Sequence, residues 1–485
     1  MTIGSIKFGS SRCFEIALAI ACSLAITTAH ADDWPQFRGP NGTGVPVSEK
    51  PLPAEFSHEK NVIWSIAMPE GISSPIIVDG RLYITAMTKP EEVSVSALEA
   101  ATGKTIWSKS FPTGKLPTIM PPNSHASSTA VCDGKTVYVP FSTLGMLALS
   151  AADGKLLWQT KIPEPFYLMA WGSASSPILI DDLVIFCQDD DLAPMLYAFD
   201  KLTGKIRWQT PRPDMLGGYS MPVICHIGNR AEIVIAGTGK MKGYDPATGR
   251  ELWTCNTLLR TIMTTPVVRG DVVYISVQSY GDADRMLKDA LLEWRDTNQD
   301  GKLSKQEIAE PFWTKFDLGD ANKDGFLVGA EVDAAFQSPN NMAGGGSIIE
   351  CIRAGGSGDV SKSHLVWRLD NKASSNIASP IVVSDRLFVV KQGGISSCFD
   401  ANDGKTVWTL KRLQNLGNYY ASPVASDGKL FVTGENGFIV VIEDGTSLNI
   451  LSKNDMGDSC VATPAIADGR LFVRTRSKLI AVGNK

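Results

Sequence analysis

The chain has 485 residues, of which 44% are hydrophobic and 20% charged, and its net charge is −5. This balance excludes a disordered chain and supplies ample apolar mass for a core. The negative charge excludes binding of nucleic acid or anionic membrane through a broad basic field.

Residues 1–31 read as a secretory signal peptide. Lys7 and Arg12 precede an apolar run over 13–26, and Ala29-His30-Ala31 supplies the small-x-small cleavage pattern. Cleavage after Ala31 makes the mature protein periplasmic or secreted. The alternatives are an uncleaved anchor or lipoprotein attachment at Cys22, which follows Leu18-Ala19-Ile20-Ala21. The run is short for a span and contains Glu15, and no later stretch is long and apolar enough to cross a bilayer. Residues 32–60 form an arm that opens Asp33-Trp34-Pro35-Gln36-Phe37-Arg38-Gly39-Pro40, with aromatics suited to covering an apolar surface.

From residue 61 the chain repeats. A small residue, Ser or Thr, then Pro, an apolar run, a turn and a second apolar run recur eight times, beginning at Ser74-Pro75, Ser128-Thr129, Ser176-Pro177, Met221-Pro222, Thr265-Pro266, Ser379-Pro380, Ser422-Pro423 and Thr463-Pro464. In the second copy Thr129 takes the place of Pro, and in the fourth Met221 precedes it. The interval is 41 to 54 residues, except for one of 114. Each copy predicts two short strands joined by a tight turn, for which Asp-Gly supplies positive φ. Pro fits the start of a strand, where no ladder donor is needed. A second motif follows, as in Ala97-LEAATGKTI-Trp107, Ala148-LSAADGKLL-Trp158, Ala198-FDKLTGKIR-Trp208, Gly243-YDPATGREL-Trp253 and Cys398-FDANDGKTV-Trp408. It predicts a third strand, a Gly turn and a fourth strand ending in Trp. The unit is therefore a four-stranded antiparallel meander, the blade of a propeller. The last copy stops at its third strand, Lys478-LIAVG. Residues 61–68, containing Trp64, supply the missing fourth strand and remove an open edge.

The predicted fold is all-β, an eight-bladed β-propeller over 61–280 and 347–485. The repeats resemble the quinoprotein-type propeller family found in PQQ-dependent alcohol dehydrogenases and in the outer-membrane barrel-assembly lipoprotein of Gram-negative bacteria. The resemblance covers roughly 61–280 and 347–485 and rests on the A-x-x-x-x-[TD]-G-[KR]-x-x-W motif; the W-P-x-F-R-G-P opening of the arm resembles exported members of the same family. It implies that Trp64, Trp107, Trp158, Trp208, Trp253, Trp367 and Trp408 dock between blades rather than forming a ligand cage.

The long interval holds a small α-helical insertion, 281–346, in the fifth blade. Apolar Met286, Leu287, Ala290, Leu291 and Trp294 recur at helical spacing. Asp296-Thr-Asn298-Gln-Asp300-Gly301-Lys302-Leu303-Ser304-Lys-Gln-Glu307 matches the twelve-residue EF-hand loop. Oxygen donors fall at Asp296, Asn298, Asp300, the Lys302 carbonyl, Ser304 and Glu307. A second loop offers Asp320, Asn322, Asp324, the Phe326 carbonyl and Glu331. Val328 leaves its ninth position to water, which makes it the weaker of two expected Ca2+ sites. The loops start 24 residues apart, and Pro311 interrupts the short linker.

The seven cysteines beyond the leader form no adjacent or CxxC pair and sit in apolar strand patterns, as buried thiols do; one or two disulfides are the alternative. The loops before each first strand carry His125, Trp171, Tyr219, Arg260, Asn376, Tyr419 and Asp458, an axial ring that suits either a small-ligand site or the wet mouth of a channel. No catalytic constellation stands out, so the first functional reading is a calcium-binding, non-catalytic scaffold for a protein or envelope polymer. The alternative, implied by the resemblance, is a periplasmic PQQ-dependent dehydrogenase of alcohols or sugars, although the vicinal disulfide of many such enzymes is missing. A polysaccharide hydrolase or lyase using the axial residues is a third reading.

Overall fold

The computed structural model describes Met1 and residues 33–484, except 168–169, 261–262, 280–286, 309, 337–344, 371–376 and 414–416. The expected signal peptide, Cys22, Met286 and Asn376 lie outside the described residues. Eight units are present, each built on a four-stranded antiparallel meander; seven pair in chain order, and the eighth takes its outer strand from residues 62–67. The first comprises Ile76–Val78, Arg81–Lys89, Glu92–Glu99 and Thr105–Pro112. Inner strands are apolar on both faces, as blades stacked on two neighbours require. Val95, Val139, Ile185, Ile235, Ile275, Val389, Val432 and Ile480 are all buried.

The ring closes as the partial repeat requires. Val62–Ala67 pairs with Lys478–Gly483, with Trp64 opposite Ala481 and Ala67 opposite Lys478. Two expectations need correcting. Trp107, Trp158, Trp208 and Trp408 do not end their fourth strands; each is the third residue of its strand. The residue before each Trp bulges from the ladder, which leaves Ile106 and Leu157 exposed at the rim. In blade two, Val131 pairs with Tyr138 as Ile76 pairs with Tyr83 in blade one. Ala130, not Thr129, thus stands in the Pro position, and Thr129 is the equivalent of Ser74.

The repeat's Gly and Trp form one joint. The indole N–H of Trp64, Trp107, Trp158, Trp208 or Trp367 donates to a carbonyl of the next blade, for example Trp64 to Ala100 at 2.9 Å and Trp107 to Ala151 at 3.1 Å. Each ring lies over the glycine of that blade's third turn. A Cβ on Gly154 would sit 2.5 Å from Trp107, and one on Gly103 2.7 Å from Trp64.

Trp253 breaks the pattern, because blade five has no such turn. Its ring folds back over Gly243, which stands where earlier copies have Ala, and its N–H donates to buried Glu232 at 2.7 Å. Gly358–Asp359 then adds parallel to Glu251–Cys255, so blade four has five strands rather than four.

The insertion joins the second and third strands of blade five, Val272–Ser279 and Gly346–Arg353. It contains α1 (Leu287–Arg295), α2 (Trp313–Gly319) and α3 (Ala330–Phe336). A single 3-10 turn at Glu310–Phe312 precedes α2 where Pro311 interrupts. Phe312, Phe316, Val332 and Phe336 form its core with Leu303 and Leu327. That core rests on Phe166, Leu192 and Leu216 from the loops of blades three and four, with Phe166 edge-on to Phe312 at 5.1 Å. Cys132, Cys187, Cys225, Cys255, Cys351, Cys398 and Cys460 are all buried free thiols. Among the described residues no helix is long and apolar enough to cross a membrane.

Candidate functional site: a blind axial cavity and two acidic loops

The residues just before each first strand converge on the propeller axis. Ser74, Thr129, Ser176, Met221, Thr265, Ser379, Ser422 and Thr463 occupy one equivalent position and together line a cavity of about 410 Å³. Their hydroxyls stitch the blades together. The backbone N–H of Ser74 donates to Thr129 Oγ1 at 3.0 Å, that of Thr129 to Ser176 Oγ at 3.0 Å, and that of Thr265 to Ser379 Oγ at 2.9 Å. The chain of bonds continues from Ser379 to Ser422 and from Ser422 to Thr463, each at 3.0 Å. The Ser or Thr of the repeat thus both seals the inner ring and sets the polarity of the axis.

The arm closes one end. Trp34 pairs with Ile77 of blade one, the Cys132 N–H donates to Pro35, and Asn41 exchanges hydrogen bonds with Ile224 of blade four. Arg38 reaches the Pro380 carbonyl of blade six at 2.6 Å, and the Ala425 N–H of blade seven donates to Gly44. The arm therefore crosses the whole disc, and Phe37 forms part of the cavity lining. The arm thus lies across one end of the axial cavity, which counts against the channel reading. Burial lowers the pKa of the fully enclosed Arg38 to about 9.

Of the expected axial ring, the structure brings together Trp171 and Tyr219, whose rings lie 6.3 Å apart and line the cavity. His125 stands outside it, and desolvation lowers its pKa. Arg260 lies beside Tyr219 but off the lining. Tyr419 is buried in the core of blades six and seven, and its neighbour Tyr420 takes the axial place. Asp458 caps a turn by accepting from the N–H and Oγ of Ser477, both at 2.8 Å. Sequence reading missed Phe37, Met120, Asn123 and the hydroxyl ring itself. The signal for the ring was the Ser or Thr before each Pro. None of the described lining residues is charged, and none is His or Cys.

The two loops of the insertion fold alike. Asp296 Oδ1 accepts the N–H of Asp300 at 3.1 Å, and its Oδ2 that of Gly301 at 2.8 Å; Asp320 does the same for Asp324 and Gly325 at 3.2 and 3.0 Å. Asn298 and Asn322 each accept from the residue two further on, as do Asp300, from Lys302, and Asp324, from Phe326. Glu307 spans its loop, taking Thr297 on one oxygen and the N–H and hydroxyl of Ser304 on the other, and these bonds lower its pKa to about 2. Glu331 takes Asn322 and Val328 similarly. Leu303 pairs with Leu327 in a two-stranded contact between the loops. No group of three His, Cys, Asp or Glu side chains gathers tightly enough to hold a metal among the described residues. The loop donors are a mixed set of carboxylate, amide, hydroxyl and carbonyl oxygens, which is the chemistry a hard cation takes.

A family profile described as "Outer membrane protein assembly factor BamB" matches residues 57–172, 170–329 and 397–484. The chain belongs to that family. A BamB from Yersinia pestis is 24% identical over 415 residues, covering 81% of this chain and 91% of its own. The crystal structure of BamB from Moraxella catarrhalis superposes with a TM-score of 0.53 at 13% identity, covering 87% of this chain and 97% of its own. Quinohemoprotein alcohol dehydrogenase from Comamonas testosteroni superposes at 0.51 and 12% identity, covering 94% and 81%. At these identities the two structures share the fold alone. BamB membership and the quinoprotein-type repeat identified from the motif therefore agree.

Proposed function

We propose that this BamB-family propeller is an exported, non-catalytic scaffold that binds protein partners during outer-membrane protein assembly. The observation that carries the reading is the uncharged axial cavity. PQQ is a tricarboxylate whose bound form is paired with a calcium ion, and the described lining offers neither a cation for the acid groups nor a carboxylate for the metal. The residues present do not fit that cofactor, which counts against the dehydrogenase reading. The test has two arms. Affinity-tagged protein in envelope preparations should recover outer-membrane assembly components, and the purified chain with PQQ and calcium should reduce no dye with alcohols or sugars. Turnover with PQQ would overturn the scaffold.

The insertion, in this reading, holds two calcium ions that rigidify it on the propeller. Asp296, Asn298, Asp300, the Lys302 carbonyl, Ser304 and Glu307 would hold one; Asp320, Asn322, Asp324, the Phe326 carbonyl and Glu331 the other. What supports this is that two loops differing at most intervening positions share the Asp, Asn and Asp backbone bonds of their first five positions and a Glu that reaches back across the loop. Titration calorimetry should give two sites, the tighter in the first loop. Asp296→Ala with Asp320→Ala should abolish both and leave the propeller's melting unchanged, because the loops lie outside the blades and the insertion rests on them through the Phe166, Leu192 and Leu216 seat. No heat of calcium binding to the unmutated chain would refute it.

A further inference from the structure

We propose that the axial cavity is a binding site for an uncharged, flat aromatic molecule carrying a carbonyl or ether oxygen at its deep end. At about 410 Å³ the cavity lies within the range of small-molecule sites, and Phe37 of the arm forms part of its lining. Its chemistry selects against charge, since no described lining residue offers a counterion and burying an unpaired charge is costly.

The aromatic wall is rigid. Tyr219 is stacked on buried Tyr167, with centroids 5.2 Å apart and planes at 21°, and Trp171 lies tilted against Tyr219 at 45°. Asn123 Nδ2 donates to the Trp171 carbonyl, and Asn123 Oδ1 is itself held by the Ser124 N–H at 2.8 Å and by Ser127. A wall fixed in advance loses little entropy when a ring stacks on it.

Specificity at depth comes from the hydroxyl ring. Thr129, Ser176, Ser379, Ser422 and Thr463 each accept a backbone N–H from the preceding blade. Each oxygen is thereby used as an acceptor, and its own proton remains to be donated into the cavity. The pocket thus presents donors at its base and π-faces at its mouth, complementary to a neutral ring system with oxygen acceptors.

The experiment uses the full mature chain and the neutral ketone fluorophore 6-propionyl-2-dimethylaminonaphthalene, with the anionic 1-anilinonaphthalene-8-sulfonate and PQQ as competitors. The neutral probe should bind at one site, with energy transfer from tryptophan. Trp171→Leu should weaken it about tenfold or more, the equivalent of roughly 1.4 kcal/mol. Ala174→Trp, at an exposed lining position, should block it while leaving the melting curve unchanged. Equal binding in both variants would place the probe elsewhere and overturn the proposal. So would absence of binding, or displacement by PQQ at equal or lower concentration. The last result would also sink the scaffold reading, whereas the first two would leave it standing.

Discussion

Glu350 lies on the third strand of blade five and is fully buried. Its Oε1 accepts from Thr257 Oγ1 at 2.9 Å, while Oε2 has no hydrogen bond and stands 3.7 Å from Arg368. Burial pushes its pKa from 4.5 up to about 7, against the opposing pull of Thr257 and Arg368. Between those values the folded state keeps a proton that the unfolded chain has lost, so this group's contribution falls as pH rises through the window and is constant above it. At roughly 1.4 kcal/mol per unit, the cost above pH 7 is at most about 3–4 kcal/mol. Glu350→Gln should therefore stabilise the protein near pH 8 by up to that amount and have little effect near pH 4. Urea unfolding of both proteins across the range checks it, and a difference independent of pH would contradict it. Sequence reading had no hold on this residue. Glu350 sits in an otherwise apolar strand buried on both faces, and only the structure reveals that it packs against Thr257 of blade four and Arg368.

At the scale of elements, the repeated unit carries its own joint, and glycine is the part of it that cannot be exchanged. Gly154 has φ +69° and lies against Trp107, whereas Gly80, in the first-blade hairpin, has φ +70° and open space around it. Ala at Gly80 meets backbone strain alone, about 1 kcal/mol. Ala at Gly154 meets the same strain and a Cβ 2.5 Å from the indole, which adds about 1–3 kcal/mol. Chemical denaturation should separate the two variants by that second amount; equal losses would show that the ring moves aside freely. The joint also explains what was legible. Trp, Gly and Pro at fixed offsets marked the blades, their number and the closing strand, and the spacing of the loop ligands placed the two acidic loops. The local exceptions were not legible, because they depend on neighbours. Trp253 turns inward where blade five lacks a glycine seat, and Tyr420 rather than Tyr419 reaches the axis because a loop can present either neighbour. His125 and Asp458 were chosen for their chemistry, yet their loops use them away from the cavity.

Over the whole molecule, one seam differs from the other contacts in the ring. Blade eight is held by pairing of Val62–Ala67 with Lys478–Gly483, so its four-stranded meander is broken where that of every other blade runs continuously, apart from the insertion. The arm lies across this seam's far side, with Lys50 bound to Asp468 at 2.7 Å and Phe56 donating to Asn454 at 2.9 Å. Both contacts add weight to a joint that chain entropy opposes, because opening it frees the two ends of the chain. Ala67 and Lys478 are exposed partners across the pair, and every described cysteine is buried, so a new bridge there has no native thiol to compete with it at the surface. Ala67→Cys with Lys478→Cys would close a loop of roughly four hundred residues. In the chain-entropy account that constrains the unfolded state by as much as about 6 kcal/mol, less any strain in the bridge. The oxidised double variant should melt well above its reduced form and unfold more slowly, while Ala67→Cys alone should respond to neither oxidant nor reductant. A bridge confirmed by mass spectrometry that leaves both the melting temperature and the unfolding rate unchanged would mean that the ring comes apart elsewhere first, and the blade four–five contact, where the Trp joint is replaced by Glu232 and Glu350, would be the next place to cross-link.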